Sequence, residues 1–201
     1  MTSVTRGAGA GATVANSDGG SQGVWSNTSL ITADDGAYAT LQLSHFYGDR
    51  GYNYLKASNF GFSIDSDQQI DGIEVIVERQ RVSGGGFGVT PFIKDDEILI
   101  LNGDGSAGVG STNRGSTSAA WSTSWTDVTF GSSSDTWGET WTPAKVNSSN
   151  FGVYIRCKGP NDPGGFASWS EYAYVDHVEI TIHHSDGGGS TGNPAFLMFV
   201  D

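Results

Sequence analysis

Acidic and imidazole side chains occur at three places where their spacing could support metal chemistry. Asp65, Asp67 and Asp71 look like the start of a calcium loop, but an EF-hand places its third acid and its glycine two positions earlier. The acidic run 95–97 lies between two candidate strands, and the histidines at 183–184 project to opposite faces of one strand. We therefore predict polar turns and surface histidines at these places, with no metal and no other cofactor.

Catalytic arrangements are equally weak. Serine is abundant, but no nucleophile elbow between a strand and a helix is indicated, and no glycine run precedes a helix that could cradle phosphate. Glu171 and Asp176 could be considered as a glycosidase pair. Asp176 and Glu179 lie three apart on one strand and so face opposite sides, which gives them no reason to converge. We predict no catalytic residues and a protein that is not an enzyme.

The tryptophans allow two interpretations. A carbohydrate-binding β-sandwich displays exposed rings on regular strands, with acids and amides beside them. Trp137 and Trp141 instead flank Gly138 in an irregular connection, where Pro143 and the polar run 147–150 prevent regular pairing. Tryptophans in such a connection close the open end of a sandwich, and each buries roughly 150–250 Å². We favour core closure, and a ligand platform at Trp137 and Trp141 is the alternative.

Composition excludes several classes of partner. The 201 residues carry a formal net charge of −12, and the Lys and Arg residues are scattered, so we expect no nucleic-acid partner. No stretch approaches the roughly 20 apolar residues of a membrane helix. The N-terminal residues lack the apolar core of a secretory signal, so we expect a soluble protein. The single cysteine, Cys157, ends an apolar alternation and is predicted to be a buried thiol.

Alternation of apolar and polar residues predicts β-strands. It is clearest over 73–79, 151–157 and 174–184. Weaker candidate strands lie at 37–43, 52–57, 59–64, 87–94, 97–103 and 125–131. Glycine-rich breakers separate them, and no window shows a helical period. Short strands with one apolar face each predict an all-β fold, an antiparallel, jelly-roll-like β-sandwich of roughly eight strands.

Flexible segments are predicted on either side of the sandwich. Residues 1–23 are rich in Gly, Ala and Ser and predict a mobile N-terminal arm. The sandwich domain is predicted over 24–184, followed by a Gly-rich linker and apolar tail over 185–201. A run of consecutive apolar residues is rarely left in water, so we expect the tail to dock on another subunit. Its apolar residues are Phe196, Leu197, Met198, Phe199 and Val200.

An ordered set of short phrases resembles a β-sandwich domain that recurs in structural proteins of tailed bacteriophages. The phrases are Trp25 with DDGAYAT at 34–40, YLKASNFGFSI at 54–64, IDGIEV at 70–75, WG at 137–138, WTP at 141–143, NFGV at 150–153 and VDHVEIT at 175–181. The resemblance spans residues 25–184, and Asp65 stands where the family pattern has proline.

The resemblance implies a non-enzymatic virion structural protein, foremost a capsid decoration or cement protein that binds and bridges capsid subunits. Its partners would be the major capsid protein or other virion subunits. A homo-oligomer is expected, with a trimer favoured because capsid lattices offer threefold positions. The protein would be part of the virion and be assembled in the host cytoplasm. The alternative function is a carbohydrate-binding module or a tail or baseplate component for host attachment.

Overall fold

The computed structural model describes residues 1–16, 23–44, 52–87, 92–107, 112–159 and 168–187. Over these residues the chain is almost entirely β-structure. The strands are β1 (Thr2–Gly7), β2 (Ala10–Val14), β3 (Ala39–Ser44), β4 (Tyr54–Ser58), β5 (Gln68–Phe87), β6 (Lys94–Leu101), β7 (Thr126–Ser132), β8 (Gly152–Lys158) and β9 (Ser168–Asp186). A 3₁₀ turn spans Thr28–Ile31, and a single-turn helix, α1, spans Pro143–Val146. The predicted all-β class is confirmed.

Two antiparallel sheets form the layers of a β-sandwich. Sheet A has the order β1-β9-β5-β7, and β3 also pairs with β9. Sheet B has the order β2-β4-β8-β6. The long strand β9 pairs with β5 along one edge, and with β3 and then β1 along the other. The inner faces of both sheets share one hydrophobic core, as the predicted antiparallel sandwich requires.

The predicted alternation locates that core. Ile73, Val75 and Val77 of β5 are fully buried, and their polar neighbours along the strand are more exposed. Phe151, which directly precedes β8, is also fully buried. Cys157 is buried as predicted, and this burial raises the pKa of its thiol well above the usual value.

The N-terminal residues correct the prediction of a flexible arm over 1–23. Strand β1 pairs with β9 in sheet A, and β2 pairs with β4 in sheet B, so this segment joins both layers. Its glycines permit close approach: a Cβ on Gly11 would lie 1.9 Å from the Thr28 carbonyl oxygen, and one on Gly9 would lie 2.4 Å from the Asn59 carbonyl oxygen. The small residues therefore serve packing here, and the described part of the predicted arm belongs to the sandwich.

The C-terminal boundary is also shifted. Strand β9 continues to Asp186, and the Gly187 amide then donates to the Asp67 carbonyl at 3.0 Å. The predicted linker at 185 therefore begins inside a strand. The predicted docking segment 196–200 lies outside the described residues.

The acidic run 95–97 is not the polar turn that the sequence predicted. It lies within β6, where the register with β8 shifts between Asp95 and Glu97. Asp95 is fully buried and forms an ion pair with Arg79. Its carboxylate also accepts the Trp121 indole N–H at 2.8 Å and the Ser116 amide at 2.9 Å. These donors compensate a charge that would otherwise be costly to bury.

Candidate functional site

The two tryptophans of the predicted alternative platform are buried. Trp137 is 0% exposed and donates its indole N–H to the Ile73 carbonyl at 2.9 Å. Trp141 is 8% exposed, donates to the Thr136 carbonyl at 2.8 Å and packs edge-on against Phe151. Neither ring offers an open face to a ligand, so the platform does not form at these residues. They close the core between the sheets.

The two carboxylates of the conceivable glycosidase pair are not brought together. Glu171 is fully buried and accepts a hydrogen bond from the Arg81 guanidinium at 3.0 Å. Asp176 instead lies with Asp34 and Glu78 on the outer side of sheet A. The two carboxylates therefore have different partners and do not form a catalytic pair.

Four aromatic rings lie side by side on the outer face of sheet A, and we call them the aromatic patch. They are Tyr38, Trp125, Tyr172 and Tyr174, and each is partly buried. The Tyr38 ring centroid lies 4.3 Å from that of Tyr174 and 5.5 Å from that of Trp125. The Tyr172 and Tyr174 centroids are 6.3 Å apart. The four rings thus form one contiguous row.

Strand order assembles this patch. Tyr172 and Tyr174 alternate along β9 with residues that enter the core, so both rings project outward. The β3–β9 register sets Ala39 against Val175, which brings Tyr38 onto the same face. Trp125 directly precedes β7 and reaches the patch from the β7 edge of sheet A, whereas Tyr38 reaches it from the β3 edge.

Polar groups border the aromatic patch. Gln42 lies opposite Tyr172 in the β3–β9 register, and Gln80 lies opposite Tyr174 in the β5–β9 register. Burial, together with the nearby Tyr38 and Tyr172 hydroxyls, raises the pKa of Tyr174. The Tyr174 hydroxyl therefore stays protonated at neutral pH and can donate a hydrogen bond.

A cluster of carboxylates adjoins the aromatic patch. Asp34, Glu78 and Asp176 each place one oxygen within 4.8 Å of the others. A cavity of about 200 Å³ beside them is lined by further acids, Asp127 and Glu179. Burial, and then the charges of Asp34, Asp176 and Asp127, raise the pKa of Glu78. This cluster can accept hydrogen bonds from hydroxyl groups or bind a cation.

Sheet B carries a different group of side chains on its outer face. The Tyr54 and Tyr154 rings stack with centroids 4.9 Å apart, and the Arg156 guanidinium lies 5.0 Å from the Tyr54 ring. The Tyr54 hydroxyl donates to Glu97, which also pairs with Arg156 at 3.1 Å. These side chains satisfy one another, so the faces of Tyr54 are already covered.

A larger cavity of about 340 Å³ lies between the connection 112–122 and β7. The charged residues that line it are all engaged in ion pairs. Arg79 pairs with Asp95, and Arg114 pairs with Asp135 at 2.5 Å. A ligand in this cavity would therefore contact mainly apolar groups, because the charged side chains are already paired.

Sequence reasoning missed all four residues of the aromatic patch. The available signal was the alternation of Tyr172 and Tyr174, which continues the period of β9 toward its start. Tyr38 and Trp125 gave no such signal, because their place in the patch depends on strand order.

Comparison with known proteins assigns the chain to no family. No family model matches it, and no curated protein matches it. Among solved structures, the CBM22-1 xylan-binding domain from Paenibacillus barcinonensis Xyn10C is similar at 11% identity and a TM-score of 0.35, over 90% of this chain and 93% of that one. A likeness this low carries no argument about function. The strand pairing itself defines the protein as an antiparallel β-sandwich.

The described part of the chain contains no candidate for a membrane-spanning helix. None of its helices combines the length and apolarity needed to cross a bilayer.

Proposed function

We propose that this protein is a non-enzymatic carbohydrate-binding domain whose ligand stacks on the aromatic patch of sheet A. The observation that carries the proposal is the contiguous row of four partly exposed rings on the outer face of the sheet. Sugar rings present apolar C–H faces that stack on aromatic rings. Tyrosine hydroxyls and indole N–H groups at the ring edges can then hydrogen-bond to the sugar hydroxyls.

The polar border of the patch supports the same ligand class. Amides both donate and accept, so Gln42 can bind adjacent sugar hydroxyls, whereas the Gln80 amide nitrogen already donates to the Thr123 carbonyl at 2.6 Å and its oxygen can accept from a hydroxyl. The Asp127 carboxylate, two residues after Trp125, can accept hydrogen bonds from sugar hydroxyls at the other side of the patch. Tyr172 and Tyr174 lie on the regular strand β9 with amides beside them, which is the arrangement expected of a sugar platform.

The charge of the surroundings selects among sugars. The carboxylates of the acidic cluster and its cavity adjoin the patch, and the whole chain carries a net charge of −12. Uronic acids and sulfated sugars would meet like charge at short range, which disfavours them. The favoured ligand is therefore a neutral glycan, and the open outer face of a sheet can accept an extended chain.

Where the protein acts remains a prediction from the bacteriophage resemblance, which implies a component of the virion. A domain that binds neutral glycans would suit a tail or baseplate component that contacts the host surface. The capsid-decoration role depends instead on the segment 196–200, which lies outside the described residues.

Affinity electrophoresis and calorimetry against a panel of neutral and anionic polysaccharides test the proposal. The wild-type protein should bind at least one neutral glycan. Trp125→Ala and Tyr172→Ala should each weaken that binding at least about tenfold, equal to about 1.4 kcal/mol, because each removes a stacking face.

Tyr154→Ala is the matched control, because it removes an aromatic side chain of similar burial from the outer face of sheet B. It should leave glycan affinity unchanged. The proposal fails if the wild type binds no glycan of the panel. It also fails if Tyr154→Ala weakens binding as much as Tyr172→Ala does.

A further inference from the structure

Three carboxylates converge at a β-bulge in β9. The pairing of β9 with β5 shifts register between Glu78 and Arg79, which leaves Asp176 as the extra residue of β9. A bulge redirects the side chain of its extra residue. Here the Asp176 carboxylate meets those of Glu78 and Asp34, and one oxygen of each lies within 4.8 Å of the others.

Asp176 is the buried member of this cluster. It is 3% exposed, and its Oδ2 accepts the Gly36 amide at 2.9 Å. Its Oδ1 is buried and has no hydrogen-bond partner among the described residues. A buried carboxylate oxygen without a partner is costly, because it has lost water and gained nothing in return.

The charges around the cluster are predominantly negative. The adjoining cavity is lined by Asp34, Glu78, Asp127 and Glu179 together with His177 and Ile76, and neither lysine nor arginine is among these described lining residues. Burial and then the neighbouring carboxylates raise the pKa of both Glu78 and Asp176, although the backbone amides at Gly36 and Asp35 oppose the rise at Asp176. The arrangement concentrates negative charge, which His177 partly offsets at Glu78 and which neither a lysine nor an arginine among the described lining residues neutralises.

We propose that Asp34, Glu78 and Asp176 bind a divalent cation, with Ca²⁺ preferred. Carboxylate oxygens are hard ligands that suit Ca²⁺ and Mg²⁺ over softer metals. Two oxygens that bind one Ca²⁺ at about 2.3–2.6 Å can be up to about 5 Å apart, so the observed spacing accommodates this ion. Mg²⁺ binds at about 2.0–2.1 Å and demands a stricter octahedron, so the carboxylates would have to move closer.

The cation would fasten a connecting segment to sheet A. In the segment between the 3₁₀ turn and β3, Thr32 forms an isolated antiparallel β-bridge with His177, and the Gly36 amide donates to the Asp176 carboxylate. Asp34 lies between these two contacts, and the segment ends at Tyr38 of the aromatic patch. A cation shared by Asp34 and Asp176 adds a third attachment to the same segment. The consequence for sugar binding rests on the proposed function, whereas cation binding itself does not.

Thermal unfolding and calorimetry of chelator-treated protein test the site without any sugar. Ca²⁺ alone should bind with a dissociation constant on the order of 10⁻⁵–10⁻³ M and raise the melting temperature as its concentration rises. Without divalent ions, Glu78→Gln should melt at or above the wild-type temperature, because one charge of the repelling group is gone. With saturating Ca²⁺ the order should reverse, because the variant has lost a ligand.

Glu74→Gln is the matched control, since Glu74 lies on the same face of β5 as Glu78 but outside the cluster. It should respond to Ca²⁺ as the wild type does. The proposal is overturned if Ca²⁺ produces neither heat nor a shift in melting temperature. It is likewise overturned if Asp176→Asn and Glu78→Gln respond to Ca²⁺ as fully as the wild type. An equal or larger response to Mg²⁺ would contradict the preference for Ca²⁺.

Sugar binding is then measured with Ca²⁺ and with chelator. If Ca²⁺ stabilises the protein and no glycan binds, the cation site stands and the proposed function fails. If a glycan binds with equal affinity in both conditions, the fastening of Tyr38 by the cation is refuted. We expect weaker glycan binding in chelator, by a factor of several.

Discussion

The tryptophans whose side chains the structure describes divide by burial into two sets. Trp137 is fully buried, whereas Trp125 is partly exposed in the aromatic patch. We predict that Trp137→Ala lowers the free energy of unfolding by about 3–5 kcal/mol, because it leaves a large cavity in the core. The Ile73 carbonyl also loses its indole donor. Urea unfolding followed by circular dichroism measures the change.

Trp125→Ala is the control for that experiment, because the same side chain is removed from the surface. It should lower the free energy of unfolding by less than about 1.5 kcal/mol and reduce glycan affinity. Trp137→Ala should keep its affinity in the fraction that folds. A stable Trp137→Ala variant with impaired glycan binding would restore the platform interpretation of this residue and contradict its role in core closure.

Among the strands, β1 and β2 depart most from what their composition suggests. The amide of Ala8 donates to the Val178 carbonyl in sheet A at 2.9 Å, and that of Gly9 donates to the Ser58 carbonyl in sheet B at 3.1 Å. We predict that both amides exchange with solvent more slowly than in the unfolded chain, by on the order of 100-fold. Hydrogen exchange read residue by residue measures this, with the denatured protein as reference. Unprotected amides throughout residues 1–16 would restore the flexible arm.

Close packing around Gly11 gives a second measurement on the same strands. A methyl group there would meet the Thr28 carbonyl oxygen, which belongs to the 3₁₀ turn and cannot rotate away. Gly11→Ala should therefore reduce the protection of β2. The clash is a property of the folded pairing, so an arm that is mobile in solution would tolerate the substitution.

Sequence alternation predicted the strands that have one buried and one exposed face. Strands β5, β8 and β9 were found in this way, because every second side chain enters the core. Strands β1 and β2 were missed because each has a single valine among small and polar residues, so neither carries an alternation of large apolar side chains. Residues 59–64 were predicted as a strand, but they form an irregular segment that buries Phe60 and Phe62. Alternating apolar residues thus identified burial there correctly and backbone conformation incorrectly.

The candidate site could be predicted only in small part. Its residues come from four separate places in the chain, and they meet because β9 lies between β3 and β5. The acidic cluster depends in addition on the bulge at Asp176, which moves one carboxylate out of the regular alternation. Strand order and bulges follow from long-range pairing, which a single sequence does not display.

For the whole molecule, the two outer faces of the sandwich have different chemistry. Sheet A presents open aromatic rings beside carboxylates, and sheet B presents a network in which tyrosines, arginine and acids satisfy one another. Binding at sheet A would leave sheet B and the segment beyond residue 187 available for other contacts. A glycan-binding face and an attachment to a particle can therefore exist together in one chain.

The predicted attachment segment allows a direct test of the virion assignment. Phe196 to Val200 form the apolar run expected to dock on another subunit. A truncation should begin at residue 188, because β9 extends to Asp186 and Gly187 donates to Asp67. We predict that removal of 188–201 leaves the melting temperature within about 2 °C of the full chain, because none of the described strands is cut.

The full and truncated chains are then compared for their recovery with purified phage particles. The full chain should remain with the particles, and the truncated chain should be lost from them, because it lacks the apolar anchor. Replacement of Phe196 and Phe199 by serine in the full chain should reproduce the loss without shortening the protein. Equal recovery of all three proteins would refute anchoring by the tail. Failure of the full chain itself to remain with particles would refute the virion assignment, with the glycan proposal unaffected.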